Sequence, residues 1–202
     1  MELPTSLATL AELRAALEAF EGCALKHTAT QLVFADGTLD APVCVIGEAP
    51  GAEEDKQGKP FVGRSGQLLD NMLASIGLTR TKNVYITNAV NWRPPNNRPP
   101  TGAEIAACRP FLRRHLALAK PAVLLLVGRT AAKAVLEDDS PMNAMRQNWL
   151  SYTGEGGQTI PTLVTFHPAY ILRNPAAKPE MQADLKFLQA WLQGQELLNS
   201  SS

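Results

Sequence analysis

Pro42-Val43-Cys44-Val45-Ile46-Gly47-Glu48-Ala49-Pro50-Gly51 decides the fold class of this chain. An unbroken apolar run is followed at once by a Gly/Pro turn, which reads as a strand buried on both faces that ends in a sharp loop. The pattern recurs at residues 83–88, 122–127 and 163–166, each an apolar strand with an unusual loop behind it. Helical periodicity fills the gaps at 66–76, 102–118, 130–136 and 179–193, and the second of these opens with a capping box, Thr101-x-x-Glu104. Alternating apolar strands and amphipathic helices predict an α/β fold with a parallel sheet between helical layers. In such sheets ligands bind beyond the carboxyl ends of the strands, where all four unusual loops fall.

Outward from this core, residues 6–20 carry Leu7, Leu10, Leu13, Leu17 and Phe20 on one helical stripe, with Thr5 or Ser6 as the expected cap. Leu32-Val33-Phe34 reads as a short strand ended by the turn Asp36-Gly37. Residues 137–157, rich in Asp, Ser, Asn and Gly, are the expected flexible stretch. With 202 residues and 45% apolar content, one domain spanning 1–202 is expected, with an N-terminal helix in 1–20 and a disordered tail at 194–202. The N-terminus lacks the pattern of a signal peptide, and no apolar run approaches the ~18 residues of a membrane span. Three widely spaced cysteines, Cys23, Cys44 and Cys108, do not suggest a disulfide framework, so a cytoplasmic, reducing setting is expected.

Formal net charge is zero, yet residues 90–133 hold eight cations against one anion, a local +7 balanced by −7 elsewhere. Such a segment suits contact with a phosphate backbone, although Arg109, Arg113 and Arg114 also read as one solvated helix face.

The loops carry the chemistry. Gly47-Glu48-Ala49-Pro50-Gly51 turns sharply enough to bring backbone N–H groups near a ligand, or is simply a turn. Phe61, between Gly58 and Gly63, is either a planar wall for a base or a core aromatic. Asn88 ends its strand with an amide that offers both donor and acceptor, or caps the loop. Trp92-Arg93-Pro94-Pro95-Asn96-Asn97-Arg98-Pro99-Pro100 is stiffened by prolines, with Arg93 and Arg98 as a cationic edge. His167 sits at a strand end as a potential neutral donor to a developing anion, and Tyr170-Ile171-Leu172 followed by Arg173 suits a wedge with a phosphate anchor.

Together GEAPGAEEDKQGKPFVGRSGQLLD (47–70), YITNAVNWRPPNNRP (85–99) and FHPAYILRNP (166–175) resemble the thermostable-type, family-four uracil-DNA glycosylases, over about residues 20–192. The resemblance implies a three-layer αβα sandwich with a central four-stranded parallel sheet. It implies an enzyme that flips deoxyuridine out of DNA and hydrolyses its N-glycosidic bond, leaving an abasic site. Carried over, Gly47, Glu48 and Ala49 line the uracil pocket, Phe61 stacks on the base, Asn88 reads its polar edge and His167 stabilises the uracil anion. Glu48 or Glu54 positions water, Glu54 also standing where thymine is excluded. Arg93, Arg98 and the segment Tyr170, Ile171, Leu172 and Arg173 face DNA. Ala49 stands where the related classical glycosylases carry an Asp base.

The same family ordinarily holds a four-iron, four-sulfur cluster on four cysteines. Here the corresponding positions are Phe20, Cys23, Trp92 and Cys108, so two thiolates are replaced by large aromatics. No cluster and no other metal are expected, although Cys23, His27, Cys108 and His115 form a loose alternative ligand set. The expected partner is uracil-containing DNA, with no membrane, and the expected state is a monomer. A non-catalytic module that binds uracil or abasic DNA is the rival reading. Covalent product capture needs a histidine in the 91–100 loop, which has none. A phosphate-binding nucleotide protein needs a better loop than Gly63-Arg64-Ser65-Gly66.

Overall fold

The computed structural model describes Leu3 and residues 6–199. Six strands form one sheet: β1 (Asp36–Gly37), β2 (Val43–Gly47), β3 (Val84–Asn88), β4 (Val123–Val127), β5 (Leu150–Thr153) and β6 (Thr159–Thr165), in the order β1-β3-β2-β4-β6-β5. The inner four pair in parallel, and β1 and β5 close the edges antiparallel. The expected four-stranded parallel centre is present, with two edge strands added.

Around it lie α1 (Leu10–Ala19), α2 (Leu25–Thr28), α3 (Ala52–Gln57), α4 (Arg64–Ala74), α5 (Gly102–Ala119), α6 (Arg129–Leu136), α7 (Met142–Met145), α8 (Pro168–Arg173) and α9 (Lys178–Gly194). Side chains alternate across a strand, so each inner strand feeds two cores. Cys44, Ile46, Leu124 and Leu126 pack with α1, α5 and α6 on one face. Val43, Val45, Val123 and Leu125 pack with α4, α8 and α9 on the other. Both faces being dry is why these strands read as continuous apolar runs. No helix among the described residues is long and apolar enough to cross a membrane.

Four local expectations change. The N-terminal helix starts at Leu10, capped by Thr9, whose side chain accepts from Glu12 N–H while the Glu12 carboxylate reaches back. Of the predicted caps, Thr5 lies outside the described residues and Ser6 precedes the helix. The Asp36-Gly37 pair is itself a strand against Tyr85 and Ile86, whereas Leu32–Phe34 belongs to no strand but is buried and tied to Asn91 and Thr87. The stretch 137–157, expected to be flexible, carries α7 and β5. Arg146 anchors it, donating to buried Asp184 (Nε–Oδ2 2.8 Å) and to Glu180 on α9. Its guanidinium also lies 4.3 Å from the Phe166 ring centroid. Polar composition concealed a long-range anchor. Of the expected tail, 194–199 closes α9 with a turn in which Leu198 packs on the core, and 200–202 lie outside the described residues.

Candidate active site

The loops after β2 and β3 leave the sheet stitched together, with Ala89 N–H donating to Gly47 O and Val90 N–H to Glu48 O. Beyond them opens a cavity of about 570 Å³ whose wall includes Glu48, Ala49, Glu54, Phe61, Asn88 and His167, with Pro94, Asn97, Arg98, Pro99 and Arg173 also contributing. That size suits a small ligand. The residues expected from three separate loops therefore meet at one place. Gly47 stands behind this wall. A Cβ there would lie 2.3 Å from Phe61 Cζ and 2.5 Å from Asn88 Oδ1, so its bare Cα lets ring and amide converge.

Asn88 is buried, and its Oδ1 has no hydrogen-bond partner among the described residues. An acceptor left unmet in a dry wall costs about 1–3 kcal/mol, which a ligand N–H would recover. Phe61 adopts φ +53°, a left-handed conformation that costs a non-glycine residue about 1–3 kcal/mol. Its ring lies 5.7 Å from the His167 imidazole, the two planes tilted by 32°. Stored strain and an orphaned acceptor in one wall mark a binding site better than either does alone.

His167 caps α8: its Nδ1 accepts from Ala169 N–H at 3.0 Å. In the neutral ring the proton therefore sits on Nε2. Burial, helped by the nearby charge of Arg173, lowers the imidazole to about 4, so it is neutral near pH 7. The result is a fixed, uncharged N–H donor.

The two carboxylates differ. Glu48 is held by Thr130 Oγ1, which donates to its Oε2 at 2.6 Å. Thr130 was not singled out from sequence; it lies in the first turn of α6, just behind β4, and the two residues are 82 positions apart. Glu54 is committed to the backbone: Oε1 accepts from Gly51 N–H (3.1 Å) and Oε2 from Val62 and Gly63 N–H (3.1 and 2.8 Å).

At the mouth, the wedge triplet is a helix rather than a loop, and successive helical side chains diverge. Tyr170 and Leu172 are 38% and 37% exposed, whereas Ile171 is 2% exposed and anchors the segment in the core. Ile171 is therefore placed away from any surface a duplex could reach. Tyr170 stacks on Phe166 at 4.9 Å, and Arg173 is exposed. Arg93 donates to Asn97 Oδ1, whereas Arg98 forks onto Glu104 (Nη1–Oε2 3.0 Å, Nη2–Oε1 2.7 Å). Arg109, Arg114 and Arg129 also face carboxylates, Glu137, Glu155 and Asp139. The basic excess of 90–133 is thus partly neutralised by partners from outside it.

The four positions of the cluster set hold two thiols and two aromatic rings. Cys23, Trp92 and Cys108 are buried, and the Phe20 ring packs 4.7 Å from Phe111 and covers Gly22, where a Cβ would meet it at 2.4 Å. Interaction between the two neighbouring thiols pulls Cys23 below its ordinary value, while the same interaction and burial push Cys108 up. Two sulfurs and two aromatic rings do not fit a cubane. The alternative set is also dispersed. His27 is exposed beside Glu21, and His115 bonds the Tyr85 hydroxyl at 2.7 Å and stacks on Phe34. Among the described residues no three His, Cys, Asp or Glu are grouped to hold a metal ion.

The signature of the Uracil DNA glycosylase superfamily matches residues 34–192. The Type-4 uracil-DNA glycosylase of Pyrobaculum aerophilum is 37% identical over 87% of this chain and 91% of its own length. Its namesake in Thermotoga maritima is 42% identical, covering 75% of this chain and 77% of its own. That of Archaeoglobus fulgidus is 41% identical over 81% and 83%.

Proposed function

This chain belongs to the uracil-DNA glycosylase superfamily, and from that premise we propose that it removes uracil from DNA by hydrolysing the N-glycosidic bond. The observation that carries the reading is the orphaned Asn88 Oδ1 in a wall shared with Phe61 and His167. Uracil presents an N3–H between two carbonyls, so the amide oxygen accepts N3–H while the amide N–H₂ faces O4. Thymine would share this edge, and its exclusion rests on the shape of the wall around C5. The Phe61 face stacks on the flipped ring.

As the glycosidic bond lengthens, the sugar gains oxocarbenium character and the base becomes an anion. His167 Nε2–H donates to the uracil O2 as that charge grows. A fixed donor of this kind stabilises the transition state more than the ground state. The cation that remains is reactive enough for water, which Glu48, held by Thr130, orients; the water oxygen bonds the sugar carbon and its proton passes to solvent or to the departed uracil anion. Ala49 offers no base, and Glu54 serves to hold the backbone of 51–63 rather than the water. Tyr170 and Leu172 fill the space in the duplex left by the flipped nucleotide, with Arg93 and Arg173 toward phosphates.

The enzyme works without an iron–sulfur cluster, aromatic packing taking the place of the metal ligands. The described cavity is built from one chain, so a monomer suffices, and the whole chain acts as one domain. Three free buried cysteines suit the reducing cytoplasm.

Cleavage of a uracil-containing oligonucleotide, developed with alkali, tests the reading. Wild type should produce strand scission, with His167→Ala and Asn88→Ala severely impaired. Tight binding with no scission in any sample would instead identify a non-catalytic uracil- or abasic-DNA binder.

A further inference from the structure

The strained backbone at Phe61 needs something to hold it, and the holder comes from far away in sequence. Arg80, on the loop between α4 and β3, donates to Pro60 O (Nη1, 2.9 Å) and Phe61 O (Nη2, 2.7 Å). Its other donors go to Asp36 Oδ2 (Nη1, 3.1 Å) and Asp70 Oδ1 (Nε, 3.1 Å; Nη2, 3.0 Å). A guanidinium has five N–H donors, and all five are used here. None remains for a DNA phosphate. Two carboxylates from opposite sides fix the fork, and the fork fixes the two carbonyls that precede and follow the Phe61 turn. Gly66 completes the cradle: a Cβ there would lie 2.0 Å from Phe61 O, so only glycine lets α4 come this close.

We infer that Arg80 is a positioning residue for base stacking, holding the Phe61 ring in its left-handed setting against the cavity. The inference rests on the glycosylase reading, because it gives the ring a base to meet. Lysine could not replace it: three donors on a single ammonium cannot span two carbonyls and two carboxylates.

A double-mutant cycle on uracil-oligonucleotide cleavage tests this, using wild type, Arg80→Met, Phe61→Ala and the double variant. Losing a base–aromatic stack costs roughly tenfold to a hundredfold, and Arg80→Met should lose an effect of that order in kcat/KM. In the Phe61→Ala background the same change should cost less than about twofold, since the ring it positions is gone. Inhibition by free uracil should weaken in Arg80→Met, while affinity for an abasic-site oligonucleotide should hold. Should Arg80→Met fail to fold, Arg80→Lys takes its place in the cycle with a smaller loss and the same non-additivity. Equal losses in both backgrounds, or lowered stability with kcat/KM intact, would overturn the assignment. An inactive wild type would instead remove the glycosylase reading and this assignment with it.

Discussion

Two neighbouring regions of the molecule solve opposite problems. The cavity wall of Phe61, Asn88 and His167 keeps an unmet acceptor, a strained backbone and a donor held in one tautomer. The region of Phe20, Cys23, Trp92 and Cys108 keeps none of these: its rings and thiols are packed into the core. The first is less stable than it could be, and the second is filled as a core is filled. Stability has been given up where a ligand can restore it and retained where no ligand is expected.

Substitutions on the two sides should therefore separate stability from turnover. The largest effect is expected at Trp92→Ala, which empties a buried indole and should lower unfolding free energy by about 3–5 kcal/mol in a denaturant titration. Its turnover per folded molecule should fall far less than that of His167→Ala. A loss of turnover like that of His167→Ala, with stability unchanged, would place Trp92 in the site and break the contrast.

His167→Ala removes the donor and should reduce kcat by ~10²–10³-fold, about 2.7–4 kcal/mol in the barrier, as measured in single-turnover cleavage. Stability near pH 7 should change little by comparison.

The third test uses pH. His167 is held at about 4 and His115 at about 3, both chiefly by burial, against 6.5 when unfolded. The unfolded chain therefore binds more protons as pH falls below 6.5. Their contribution is fully present above 6.5 and is lost as pH falls through that value toward 4 and then 3. Thermal unfolding should show a loss of several kcal/mol across this window, at up to about 1.4 kcal/mol per pH unit for each histidine, smaller in His167→Ala. Stability independent of pH from 7 to 4 would contradict the buried neutral state.

The smallest effect separates the two arginines of the proline-rich loop. Arg93→Ala should lower the slope of log affinity against log salt by about 1, the signature of one phosphate contact. Arg98→Ala should change that slope less, since its fork is occupied by Glu104.

Much of this contrast was legible before any coordinates. Apolar runs such as Val43–Ile46 announced a sheet buried on both faces, and the loops behind the strands announced where a ligand would lie. What stayed hidden depends on contacts between distant residues. Arg80 reaches Phe61 across 19 positions and Thr130 reaches Glu48 across 82, and neither spacing leaves a local pattern. Ile171 was misjudged because three adjacent apolar residues look alike in a string yet point in different directions on a helix. Arg146 ordered a stretch whose composition suggested flexibility, through a carboxylate on α9. Local chemistry was readable, and long-range pairing was not.

Asn88 Oδ1 is left for a ligand N–H, and the ligand can be altered instead of the protein. Inhibition of cleavage by free uracil should be compared with inhibition by N3-methyluracil, which carries no N3–H. Uracil should inhibit wild type, N3-methyluracil should not, and Asn88→Ala should cease to distinguish them. Equal inhibition of wild type by the two compounds would mean that Asn88 Oδ1 does not receive the N3–H.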